Sequence, residues 1–327
     1  AAEQGLSLPA DADFETARAR VWEASEFVAL SAVRSPETLA ALISEHALTQ
    51  APTPASLSEE LAIALADVAD EMALHRALRL FRRRQMMRII WRDLSGWADL
   101  DETLESLSAL ADCCITQSLS RLQAWTRTEL GVPQDAVGKP QSLVVLGMGK
   151  LGAHELNLSS DIDLIFAFPS SGEVVGGPRP LRNEQFFTRL CQRLVQSLNT
   201  QTVDGFVFRV DTRLRPFGDA GPLAMSFDAM EGYYHSQARE WERYAMTKAR
   251  VVAGEPEDAE ELMAMLRPFV YRRYLDFGAI ESLRSLKVMI DRELRRKGMA
   301  DNVKLGPGGI REIEFIGQSF QLIRGGR

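Results

Sequence analysis

Cysteine is scarce in this chain. The 327 residues hold three, Cys113, Cys114 and Cys191, with no CxxC pair and no secretory apolar leader ahead of them. So few thiols, in odd number, exclude a disulfide scaffold and point to a reducing compartment, the cytoplasm. No apolar run reaches membrane-spanning length, so neither a transmembrane helix nor a membrane partner is expected. Basic charge is short as well. The 38 Lys plus Arg stand against 45 Asp plus Glu, a formal net charge of −7, which excludes a broad basic face for nucleic acid. Any phosphate must therefore be bound locally. Internal repeats and low-complexity segments are lacking too. What is present, 46% hydrophobic and 25% charged residues, suffices for two or three packed cores and excludes disorder or a collagen-like rod. The chain starts without Met and stops where a helical pattern ends, so a piece of something longer is expected.

Residues 1–135 read as helices, with apolar positions at three-and-four spacing. Ala51-Pro52-Thr53-Pro54 interrupts them, and Ser56-Leu57-Ser58-Glu59 has the form of a capping box. From there Leu61, Leu65, Val68, Met72, Leu78 and Phe81 carry one apolar stripe towards Trp91, with Gly96 as the stop. A second long helix fits 101–130, ending at Gly131 with Pro133 beyond. The pattern changes at 141. Residues 142–146 read as a strand running into glycines, Asp161 to Phe168 as a second, 183–199 as a helix and Gly205 to Asp211 as a third strand. After Pro222 helices are expected over 229–253, 257–276 and 281–298, then from Ile310 after a glycine-rich break. The fold class is thus α+β: an α/β unit over 136–225 with a small mixed sheet, between helical segments 1–135 and 226–327.

Gly147-Met148-Gly149-Lys150-Leu151-Gly152 matches the GxGxxG dinucleotide fingerprint. A Rossmann unit, however, follows its glycines with a helix of several turns and places its acid at the far end of the next strand. Only Ala153 to Ser160 intervene here, and the acids stand at the start of the strand. In a strand, residues i and i+2 share a face, so Asp161 and Asp163 present two carboxylates together while Ile162, Leu164 and Phe166 point the other way. Adjacent anions repel, and a hard divalent cation, Mg²⁺ or Mn²⁺, is the natural counter-charge. Asp211 closes the third strand where a neighbouring strand can bring a third carboxylate. Three carboxylates can hold two metals, the clamp of in-line phosphoryl or nucleotidyl displacement. The glycine turn with Ser159 and Ser160 offers an anion cradle beside them. Together these parts make the nucleotidyl-transfer constellation.

These residues, with Glu155-Leu156-Asn157, Asp211-Thr212-Arg213-Leu214-Arg215-Pro216-Phe217-Gly218, Trp241-Glu242-Arg243-Tyr244-Ala245-Met246 and Gly308-Gly309-Ile310-Arg311-Glu312-Ile313-Glu314-Phe315, resemble the bifunctional glutamine synthetase adenylyltransferase/adenylyl-removing enzymes over roughly residues 60–327. The wording is similar to the N-terminal, adenylyl-removing copy of that family's two nucleotidyltransferase domains. One departure from more distant nucleotidyltransferases is Lys150, where a serine usually follows the glycine. The resemblance implies phosphorolysis of AMP-tyrosine on adenylylated glutamine synthetase to ADP and free tyrosine, with Mg²⁺ or Mn²⁺, and regulation through a PII-type signal protein and glutamine. For that chemistry Asp161 and Asp163 are expected as catalytic metal ligands and Asp211 as the third catalytic carboxylate, either a metal ligand or an activator of the attacking oxygen. Gly147, Gly149, Lys150, Ser159, Ser160, Arg213 and Arg215 are its expected nucleotide or phosphate contacts, the arginines as bidentate clamps. The alternatives are ATP-dependent adenylylation at the same site and a non-catalytic nucleotide- or regulator-binding module.

Other features carry less. Arg82-Arg83-Arg84 reads as a solvated C-terminal helix turn. Residues 267–297 hold nine basic against four acidic side chains, a possible guide for an anionic partner. His154 reads as a helix-surface residue, Tyr233, Tyr234 and Tyr244 as core, Trp241 as core or a base wall, and Cys113 and Cys114 as small core residues. Glu312 and Glu314 are read as packing or pairing with arginines.

Overall fold

The computed structural model describes residues 12–271 and 308–324, with scattered positions between 284 and 306. Among the described residues six helices lead in: α1 (Ala12–Ala24), α2 (Glu26–Arg34), α3 (Pro36–Ser44), α4 (Pro54–Ala64), α5 (Glu71–Ser95) and α6 (Leu100–Leu130). The apolar stripe from Leu61 to Trp91 is therefore two helices and not one. Asp70 accepts from the Ala73 amide at 2.8 Å and starts α5 afresh, while Met72 faces solvent. The capping box also sits three residues earlier than expected. Thr53 is the N-cap, exchanging side-chain and backbone bonds with Ser56, because Pro54 has no amide to lose and favours the first helical position. Gly96 does end α5 in the left-handed conformation, φ +78°, which a side chain would resist.

The sheet comprises β2 (Val144–Met148), β3 (Ile162–Phe168), β5 (Val210–Asp211), β6 (Ala224–Ser226) and β7 (Arg250–Ala253); β1 (Val132–Gln134) and β4 (Glu173–Val175) form a separate two-stranded pair. β2 lies antiparallel between β3 and β7. β3 pairs in parallel with β5 at its start and with β6 at its end. The sheet is mixed, as the sequence suggests. Both its faces are covered, and the strand alternation divides them. Val145, Ile162, Leu164, Phe166 and Phe168 join the core shared with α4, α5, α6 and α8 (Asn183–Asn199). Val144, Leu146, Met148, Ile165 and Ala167 join a second core with α9 (Phe227–Ser236), α10 (Glu240–Met246) and α11 (Pro256–Val270). Because Asp163 shares the parity of Ile165, its side chain rises on the α10 side.

Three expectations change. The helix expected over 229–253 is α9, α10 and the strand β7. The break is polar: the Tyr233 hydroxyl donates to the buried Glu242 at 2.6 Å, and the other Glu242 oxygen accepts from the Arg239 amide at 2.7 Å, which starts α10. The α/β unit thus draws an edge strand from beyond residue 225. The third strand shrinks to two residues, since the Val207 and Phe208 amides donate to the Leu198 carbonyl at the end of α8. Arg82 and Arg84 are not a solvated terminus, as α5 runs on to Ser95. Arg82 lies over the rings of Phe206 and Phe208, at 4.9 and 5.6 Å, and Arg84 pairs with Glu45 and Glu60. The expected helix over 281–298 and the end of that over 257–276 lie largely outside the described residues, while α12 (Ile310–Arg324) starts where expected. No single described helix is long and apolar enough to cross a membrane.

A buried arginine ties the helical lead-in to the strand that ends at Asp211. Arg79, 1% exposed, donates to the carbonyls of His75, Ser197, Thr200 and Gly205, gathering the end of α8 and the turn before β5. Arg79→Met strands the Ser197 and Thr200 carbonyls, while that of Gly205 keeps the Thr202 amide. It is expected to cost about 3 kcal/mol or more, read as a lower urea midpoint.

Candidate active site

Register brings the carboxylates together. Met148, Asp163 and Asp211 are aligned across β2, β3 and β5, so the Asp163 and Asp211 backbones are one strand spacing apart, about 5 Å. Asp161 stands two residues before Asp163. All three line one cavity of about 950 Å³, together with Gly149, Lys150, Ser159 and Ser160.

The three acids differ in surroundings. Asp163 is half-buried, and its carboxylate makes no hydrogen bond or ion pair among the described residues. Burial, then the neighbouring Asp211 and Asp161 charges, push its carboxyl up to about 6, against a smaller opposing pull from Arg213. Asp211 is held below the usual carboxylate range, chiefly by Arg213, whose Nε lies 3.0 and 2.9 Å from its two oxygens and whose amide donates to it at 2.8 Å. Asp161 pairs with Arg209, which also donates to the Ser159 carbonyl at 2.6 Å.

The residues suit a hard divalent ion by donor type and charge. Asp163 is an uncompensated carboxylate between two others, where a cation removes the repulsion. As placed, no three acidic, histidine or cysteine side chains among the described residues form a ligating group. Asp161 and Asp211 each turn to an arginine instead. Arg213 is exposed, so its release costs little.

The glycine motif divides by role. Gly149 is left-handed, φ +56°, and a Cβ there would sit 3.2 Å from Asp163 Oδ2; it borders the cavity. Gly147 does not. It lies inside β2, where a Cβ would come within 2.7 Å of Val252, so its role is packing, contrary to the phosphate contact expected of it. Gly152 is also a packing glycine, because a Cβ would fall 1.7 Å from the Lys248 carbonyl. Between them α7 (Gly149–Gly152) is a single turn.

Arg215 likewise departs from its expected role. Its guanidinium is spent inside the turn on the Thr212 carbonyl and hydroxyl, at 2.8 and 2.9 Å, and its side chain is only 11% exposed. It staples the loop after β5 and is not among the cavity-lining residues. His154 ends the glycine turn at φ +58° and does not line the cavity either. Tyr233 and Tyr234 are core, whereas Trp241 and Tyr244 face the cavity.

Sequence reasoning missed Lys248, Arg250 and the role of α12. Lys248 borders the cavity and bridges Glu155, at 2.8 Å, and Glu314, at 3.7 Å. Arg250 braces the glycine turn from below. Both lie in the stretch read as one helix, which concealed them. Among the described residues Glu314 pairs with this lysine and Glu312 with Lys287 at 2.6 Å, and neither with an arginine.

The sequence profile described as glutamate-ammonia ligase adenylyltransferase matches residues 16–265. The chain belongs to this family. A second profile, GlnD PII-uridylyltransferase, matches residues 284–327. Similar relatives are named bifunctional glutamine synthetase adenylyltransferase/adenylyl-removing enzyme. One from Nitrosococcus oceani is 60% identical over 94% of this chain and 32% of its own length. Another, from Thioalkalivibrio sulfidiphilus, is 56% identical over 100% of this chain and 33% of its own. The Pseudomonas aeruginosa relative is 57% identical over 94% and 32%. The chain thus spans about a third of the length of the curated relatives it matches.

Proposed function

We propose that this chain removes AMP from an adenylylated tyrosine of glutamine synthetase by phosphorolysis, giving ADP and the free tyrosine. The alignment of Asp163 with Asp211, with Asp161 two residues before and Gly149 alongside in one cavity, carries this reading. Asp161, Asp163 and Asp211 would hold Mg²⁺ or Mn²⁺, which when bound supplies charge neutralisation at the reacting phosphorus. Gly149, Lys150, Ser159 and Ser160 hold phosphate oxygens, and Arg213 joins them on leaving Asp211. An oxygen of inorganic phosphate forms the new bond to the AMP phosphorus while the bond to the tyrosine oxygen breaks. The phenolate, of pKa about 10, then takes the proton that the attacking hydrogen phosphate gives up. No protein nucleophile is needed, so the chain contributes positioning and charge. Glutamine synthetase, a PII-type signal protein and glutamine are the partners and effectors this reading carries.

The test is nucleotide release from adenylylated glutamine synthetase. ADP is expected, dependent on both phosphate and Mg²⁺. Pyrophosphate formed from ATP and unmodified synthetase, with no ADP from the adenylylated form, assigns the chain to adenylylation. Nucleotide binding that persists in Asp161→Asn with no turnover in either direction by the unaltered chain reduces it to a binding module.

A further inference from the structure

The cavity has a second wall, and its charge is opposite to the floor's. α12 presents Arg311, Glu314, Phe315 and Gln318 to the cavity, positions spaced three, four and seven apart and therefore on one helical face. That face is docked by three contacts. Phe315 stacks on Tyr244 with centroids 5.2 Å apart, Glu314 reaches Lys248 at 3.7 Å, and Gln318 donates to the Thr247 hydroxyl at 3.4 Å. Lys304 lies just before the helix, its carbonyl accepting from the Arg311 amide at 3.0 Å.

Seven basic and five acidic side chains line the cavity, an excess of positive charge in a chain whose net charge is −7. Most of them cancel in pairs: Arg209 with Asp161, Arg213 with Asp211, Lys248 with Glu314 and Lys287 with Glu312. Lys150, Lys304 and Arg311 have no ion pair among the described residues, and Asp163 is the one acid of the cavity left over. Three unspent cations around a space large enough for a nucleotide mark an anion-binding wall.

We propose that Arg311 and Lys304, with Lys150 across the cavity, form the subsite for the phosphate that is not transferred: the incoming inorganic phosphate, which becomes the β-phosphate of ADP. This rests on the reading given above and adds a residue class to it. It makes the segment matched to the uridylyltransferase profile a wall of the catalytic cavity, with Arg311 a substrate-contacting residue. Arg311 is the stronger element, since its fork can take two phosphate oxygens at once.

The experiment measures binding of ADP, inorganic pyrophosphate, inorganic phosphate and adenosine to the 327-residue chain, for the unaltered protein, Arg311→Met, Arg311→Lys and Lys304→Met. Arg311→Met is expected to weaken ADP and pyrophosphate about tenfold or more, the worth of one charge-assisted contact, and to leave adenosine unchanged. Arg311→Lys recovers part of the loss, and the salt dependence of ADP binding becomes shallower in both Met variants. Weaker inorganic phosphate alongside weaker ADP assigns the wall to the attacking group. Loss of pyrophosphate binding with inorganic phosphate untouched assigns it to a triphosphate chain and overturns the proposal. Unchanged ADP affinity in Arg311→Met, or an equal loss of adenosine, also overturns it. If that happens while the unaltered chain still releases ADP from adenylylated synthetase, the subsite falls and the proposed function stands. If ADP binding depends on Arg311 but no deadenylylation occurs, the proposed function falls and takes the attacking-phosphate assignment with it, leaving Arg311 a diphosphate contact only.

Discussion

Asp163→Asn is expected to abolish turnover and, in the metal-free chain, to increase stability. The two effects have one cause. On the proposed reading Asp163 holds the ion at the centre of the site, and its loss costs about 10³-fold or more in rate. Without the ion the same carboxylate is a liability. Burial and the two neighbouring acids raise it from 3.8 to about 6, so between those values the folded chain holds a proton that the unfolded chain has released. Stability therefore falls as pH rises through that window, and the full cost persists above it. A shift of two units corresponds to about 3 kcal/mol. Partial exposure to solvent reduces this, so a gain of about 1–2 kcal/mol is expected for the variant at pH 8. Urea unfolding at pH 8 and pH 4 checks it: the variant should be the more stable at pH 8 and indistinguishable at pH 4. Added Mg²⁺ should raise the melting temperature of the unaltered chain and not that of Asp163→Asn. A variant no more stable than the parent at pH 8 would remove the argument that the site is built around an absent charge.

Much of this arrangement was legible in local pattern. The alternation of Asp161, Asp163 and Ile165 against Ile162, Leu164 and Phe166 announced both the strand and the face its acids take, because a strand buried on both sides leaves few other readings. The helices over 183–199 and 101–130 showed in their three-and-four spacing, the second stopped by Gly131. Illegible were features decided by distant partners. Residues 250–253 become a strand only because β2 offers an open edge, and no propensity within 229–253 records that edge. Gly147 and Gly152 look like cradle glycines in a linear motif, yet their reason is the approach of Val252 and the Lys248 backbone, about a hundred residues later. Arg215 looks like a clamp until the fold supplies Thr212 as its partner. The three acids line one cavity because strand parity and register set them there. Arg82 and Arg215 were read amiss because an arginine serves equally well as ligand, staple or brace, and only the geometry separates these uses.

The brace beneath the glycine turn yields the second large effect. Arg250 donates to the Leu151 and Gly152 carbonyls at 3.0 and 3.3 Å, closing the end of the single turn whose start borders Asp163, and is itself held by both oxygens of Asp112 on α6 at 2.9 and 3.0 Å. Burial raises the Asp112 carboxyl, and Arg250 opposes that rise. Removing the arginine alone leaves a part-buried acid without its partner and the Gly152 carbonyl without its donor, while Leu151 keeps the His154 amide, so Arg250→Met is expected to destabilise by about 2–3 kcal/mol. The double variant Arg250→Met/Asp112→Leu removes the stranded charge as well and should recover most of that loss. Turnover separates bracing from simple stability. If Arg250 sets the position of Gly149 against Asp163, the double variant stays at least about tenfold slow, the worth of a misplaced contact in a transition state, although it is folded at the assay temperature. Nucleotide release that returns together with stability would make the Asp112–Arg250 pair a fold element alone, and the glycine turn would then be held by its own packing against β7.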